Sequence, residues 1–88
     1  MRTTHFTIRE TKQFAKAFDK LVGSEDRPRL HQFLAERPEA GALIRGSHGI
    51  RKLRWARPGS GKSGGVRVIY YFGGEKMPLY LLSLFAKN

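Results

Sequence analysis

The chain has no cysteine. That excludes a disulfide framework and any thiolate metal site, and it fits a reducing compartment. Acid is scarce in the second half, where Glu75 is the only negative side chain after Glu39. Long hydrophobic runs are also missing. The longest, Leu79 to Ala86, is interrupted by Ser83 and falls well short of the ~20 apolar residues that a membrane-crossing helix needs. Met1 to Lys12 lacks the apolar core of a secretory signal. No internal repeat, low-complexity tract or long linker divides the chain. The expected setting is a single soluble domain in the cytoplasm, with no membrane partner.

What is present suffices for one modest core. The 88 residues are 40% hydrophobic and 11% aromatic, too apolar for wholesale disorder and near the lower size limit for a self-standing fold. The formal charge of +10 is unevenly placed. Residues 1–39 hold eight Lys/Arg against six Asp/Glu, whereas residues 40–88 hold nine against one. An even spread would signify solubility. Concentration of one sign predicts a polyanionic partner, nucleic acid before an acidic protein or a membrane surface.

Periodicity predicts an α+β fold. Thr4-His5-Phe6-Thr7-Ile8 alternates as a short strand. Phe14, Ala15, Phe18, Leu21 and Val22 recur at helical spacing, with Gly23 as the stop. A second helix starts near Asp26, carries Pro28 in its first turn and Leu30, Phe33 and Leu34 on its buried stripe, and ends at Arg37-Pro38. From Gly49 the period becomes two. Strands are expected over Ile50 to Ala56, Val66 to Phe72 and Leu79 to Ala86, separated by the Gly/Pro/Ser-rich segments Arg57 to Gly65 and Gly73 to Pro78. The order β-α-α-β-β-β implies a helical hairpin packed on an antiparallel sheet.

Alternation then sorts the charges. Leu53 and Trp55 read as core and share a face with Arg51, so Lys52 and Arg54 project from the open side. Arg67, between Val66 and Val68, stands there with Ile69 and Tyr71, and Lys87 lies in phase with Ser83 and Phe85. Cations from three neighbouring strands are thus expected to converge. Against a merely solvated face stands the near absence of acid in this half. Tyr71 and Phe85 are candidates to stack unpaired bases, with ordinary core packing as the alternative.

Ala56-Arg57-Pro58-Gly59-Ser60-Gly61-Lys62-Ser63 fits a loose nucleotide-binding P-loop. Such a loop needs a helix N-terminus after it. The β-branched and aromatic run Val66 to Phe72 predicts a strand instead, so the loop is read as a basic hairpin tip with Arg57 and Lys62 on phosphates. His5 and His31 are read as structural or exposed, and His48, in a Gly-flanked loop, as a minor candidate for proton transfer. Three scattered histidines without paired carboxylates make no metal site, and no Ser/His/Asp triad is evident.

Three blocks in order resemble the HigB-like branch of the RelE/ParE toxin superfamily: Gly49-Ile50-Arg51-Lys52-Leu53-Arg54-Trp55-Ala56, Gly61-Lys62-Ser63-Gly64-Gly65-Val66-Arg67-Val68-Ile69-Tyr70-Tyr71 and Tyr80-Leu81-Leu82-Ser83-Leu84-Phe85-Ala86-Lys87-Asn88. Phe33-Leu34-Ala35 and Pro38-Glu39-Ala40-Gly41 resemble the helix end before these strands. The resemblance implies a RelE-like fold over residues 1–88 and a toxin of a type II toxin–antitoxin pair that cleaves mRNA in the ribosome. It also implies a helix-turn-helix antitoxin as partner, and neither metal nor other cofactor. Matched by position, Lys52, Arg54, Arg67 and Lys87 are the implied catalytic set; Arg51, Arg57, Lys62, Tyr71 and Phe85 are expected as RNA contacts on the reading of the residues themselves. Arg54 and Arg67 would stabilise the phosphorane, and Lys52 or Lys87 would act as acid or base. Family members usually continue past Ala-Lys-Asn into a further segment, often helical, whereas this sequence stops at Asn88; His48 stands where glycine is common. The alternatives are a ParE-like inhibitor of DNA gyrase and a non-catalytic RNA-binding module.

Overall fold

A computed structural model describes residues 6–57 and 65–86. Two helices cover one face of a five-stranded mixed sheet. The chain runs β1 (Ile8–Glu10), α1 (Lys12–Leu21), a 3-10 turn (Ser24–Asp26), α2 (Arg27–Glu36), β2 (Ala42–Leu43), β3 (Ile50–Trp55), β4 (Val66–Tyr71) and β5 (Leu79–Ala86). The strand order is β1-β5-β4-β3-β2. The α+β class and both helices agree with the sequence pattern.

Three details differ. The first strand is Ile8–Glu10, later than the expected Thr4 to Ile8. It pairs parallel to β5, with Ile8 opposite Leu79 and Glu10 opposite Leu81, so the sheet is not wholly antiparallel. The two helices carry the chain from β1 at one edge of the sheet to β2 at the other, and β3 and β4 bring it back to β5 beside β1. An additional two-residue strand, β2, pairs antiparallel to β3. None of the described helices is long and apolar enough to cross a membrane.

Thr11 starts α1 and fastens it to the sheet. Its hydroxyl oxygen accepts from Phe14 N at 3.0 Å and donates to the Leu82 carbonyl at 2.7 Å. Such a cap contributes about 1 kcal/mol. The helix stops where Gly23 takes φ 114°, a conformation that favours glycine, and its N–H donates to the Phe18 carbonyl. Pro28 lies in the first turn of α2, where its missing N–H leaves no hydrogen bond unmade.

The core lies between the helices and one sheet face. Phe14, Phe18, Leu30 and Leu34 from the helices meet Leu53, Trp55, Val66, Val68, Tyr70, Leu79, Leu81 and Leu84 from the strands. Burial of each large apolar side chain contributes about 1.5–3 kcal/mol before entropy is counted. A bulge sets the phase of β5. Ile69 is opposite Ser83 but Tyr70 is opposite Leu81, leaving Leu82 as the extra residue. Strict alternation would send Ser83 and Phe85 inward behind Leu79 and Leu81. The bulge buries Leu84 instead and turns Ser83 and Phe85 to the open side.

Two polar ties brace this layer. Trp55 Nε1 donates to Asp26 at 2.9 Å, and Arg29 donates to both oxygens of the same carboxylate. The Arg29 hydrogen bonds hold the Asp26 carboxyl below its ordinary value of 3.8, against the opposing effect of burial, and Trp55 lowers it further. Tyr70 OH donates to the Pro38 carbonyl at 2.8 Å and accepts from Gly41 N at 2.9 Å. Burial raises its phenol above 10.

Candidate nucleic-acid interface

The sheet face away from the helices is a grid. Residues directly opposite one another on neighbouring strands point the same way, with strands about 4.8 Å apart and successive same-face residues about 6.7 Å apart. Arg54 is opposite Arg67, which is opposite Phe85. In the next row Lys52 is opposite Ile69, which is opposite Ser83. In the third, Ile50, Tyr71 and Tyr80 align, and Arg9 of β1 stands beside Tyr80. The structure therefore brings Lys52, Arg54, Arg67 and Phe85 together within about 10–15 Å.

The electrostatics of this face are one-sided. Among the described residues, the side chains of Lys52, Arg54 and Arg67 have no hydrogen bond or ion pair. The acids are engaged elsewhere. Glu10 takes Arg27 at 2.9 Å and His31 at 2.6 Å in the helical layer, Asp19 takes Arg27 at 3.0 Å, and Glu39 lies 3.7 Å from Arg51. Glu36, Glu39 and Glu75, with Arg37, line a groove of about 360 Å³ that shares no residue with the open face. Like charges directly opposite in a sheet are destabilising. The Arg54–Arg67 pair carries that cost in the free protein.

The aromatic candidates separate. Phe85 is 48% exposed beside Arg67, so a ring face is available to a base. Tyr71 is half-buried, its ring packed so closely on Gly49 and Gly73 that neither position has room for a Cβ. It forms the floor at the far end.

Arg51 does not join the cluster. Its phase puts it on the helix side, where Nη1 donates to the carbonyls of Glu39 (3.2 Å) and Gly41 (2.8 Å), and Nε is buried without a partner among the described residues. Its geometry is that of a brace for the loop between α2 and β2. Arg57 follows β3 and is half-buried. Lys62, Lys87 and His5 lie outside the described residues. His48 is exposed in the β2–β3 turn with φ 61°, six residues and about 20 Å of strand from Arg54. Among the described residues no group of three or more His, Asp or Glu is placed to hold a metal ion.

Sequence reasoning missed Arg9 and Tyr80. Alternation about Ile8 sends Arg9 to the open side, but only the parallel pairing to β5 puts it beside Tyr80. Chemically, two adjacent guanidinium groups present planar forks of N–H donors that match the non-bridging oxygens of a phosphodiester, with Lys52 next along β3. No family model matches the chain.

Proposed function

We propose that this protein is the toxin of a type II toxin–antitoxin pair with a RelE-like fold, an endoribonuclease that halts translation by cleaving mRNA in the ribosome. The observation that supports it is the Arg54–Arg67 pair on an acid-free stretch of open sheet, flanked by Lys52 and an exposed Phe85. The family resemblance of residues 33–88 adds the reaction. A ribose 2′-hydroxyl loses its proton and attacks the adjacent phosphorus, and the 5′-oxygen leaves with a proton. Arg54 and Arg67 hold the negative charge that develops on the phosphorane, a term commonly worth a hundredfold or more in rate. Lys52 and Lys87 move the protons, and Phe85 stacks a base. No metal or other cofactor takes part. The partners are mRNA on the ribosome and a helix-turn-helix antitoxin, and the setting is the cytoplasm.

Induced expression should arrest growth and yield cleaved transcripts, and Arg67→Gln should abolish both. Intact transcripts during arrest would sink the nuclease reading, and DNA damage in their place would identify a gyrase inhibitor. One observation favours a second reading, RNA binding without cleavage: the described open face contains neither imidazole nor carboxylate. That reading requires binding to single-stranded RNA with no new 5′ ends.

A further inference from the structure

Residues 1–39 look nearly neutral in sum, but their charges are sorted in space. Lys12, Lys16 and Lys20 are exposed at spacings of four on α1. At 100° per residue they lie opposite Phe14 and Phe18, which are fully buried. Their ammonium groups form a stripe about 12 Å long, one charge per ~6 Å of helix. Among the described residues none of the three side chains has an ion pair or hydrogen bond. Asp19, the only acid on α1, is held by Arg27 at 3.0 Å. Like charges four apart oppose helix formation, and Lys12 occupies a first turn that contains no acid, where a cation is unfavourable. Lys12 and the spacing of four therefore cost helix stability, while Lys20 in the last turn favours it. The stripe lies on the far side of the helical layer from Arg54 and Arg67.

We propose that this stripe is a second polyanion-binding surface, one that takes the phosphate backbone of an RNA double helix. A DNA duplex carries a phosphate per ~1.7 Å of axis and the A-form RNA duplex, with its shorter rise, at least as many, so three ammonium groups over about 12 Å find partners without distorting either helix. A membrane surface is the poorer match. The apolar side of α1 is spent on the core, and the outward face offers Gln13 and Asp19 beside the lysines, with no aromatic or aliphatic group to enter a bilayer. The inference does not depend on cleavage at the sheet.

The test compares wild type with the Lys12→Gln/Lys16→Gln/Lys20→Gln variant, using a fluorescent RNA hairpin with a fully paired stem. Affinity is measured across a range of salt. Loss of three phosphate contacts should reduce the slope of log affinity against log salt by about 2–3, while binding of an unstructured RNA strand is retained. The corresponding triple Lys→Arg variant, which keeps the charge, should bind the hairpin like wild type. An unchanged slope for the hairpin would overturn the proposal, as would a loss confined to phosphatidylglycerol vesicles. Failure of the sheet-face reading appears in a different arm, as normal single-strand binding by Arg54→Gln/Arg67→Gln.

Discussion

Arg54 and Arg67 face each other across β3 and β4 with no acid between them. Stability alone selects against that arrangement, and a phosphate between the two guanidinium groups would reverse its sign. Arg54→Gln should therefore stabilise the free protein by about 0.2–1 kcal/mol while reducing RNA cleavage a hundredfold or more. Urea denaturation and transcript mapping on the same variant check both halves. A variant that loses stability together with activity would show that the pair is structural.

Phe85 and Tyr71 should part company on substitution. Phe85→Ala removes a half-exposed ring, so the thermal midpoint should hold while single-stranded RNA binding weakens by about 1–3 kcal/mol. Tyr71→Ala empties the space against Gly49 and Gly73 and should lower stability by about 1–2 kcal/mol. Calorimetry with fluorescence anisotropy distinguishes the two.

The difference between these two rings also shows how far the sequence carries. Period-two alternation was enough to put Lys52, Arg54 and Arg67 on one face, because β3 and β4 pair without irregularity from Ile50 to Trp55. It could not reveal the bulge at Leu82, since the extra residue is visible only when β5 is laid against β4. The parallel partner of β1 is some seventy residues away, and no local signal identifies it. β2 is two residues long, too short for any period. For Arg51 the face was legible but the destination was not: only the folded loop supplies the carbonyls of Glu39 and Gly41.

Asp26 joins α2 to β3 through Arg29 and Trp55. Its folded-state pKa is depressed, chiefly by Arg29. The associated stability is present above the unfolded value near 3.8 and is lost as pH falls through the folded value. Asp26→Ala should cost about 1–3 kcal/mol at neutral pH, because Trp55 Nε1 loses its acceptor. The gap from wild type should narrow as pH drops from 5 towards 2. Denaturation midpoints across that range test the sign, and a gap that widens in acid would contradict it.

Tyr70 closes the loop between α2 and β2 from within the core. Tyr70→Phe removes one hydroxyl and leaves both Gly41 N and the Pro38 carbonyl unpaired, for a loss of about 1–3 kcal/mol. Amide exchange should accelerate at Gly41 before it does so in β4. Uniform acceleration would mean that the hydroxyl holds no particular segment.

The most direct test of an RNA-binding sheet face is the salt dependence of single-stranded RNA affinity, for wild type and for Arg54→Gln/Arg67→Gln. With about five phosphate contacts the wild-type slope of log affinity against log salt should lie near −3.5, and loss of two contacts should bring it near −2. Equal slopes for the two proteins, or a wild-type slope near zero, would contradict the account.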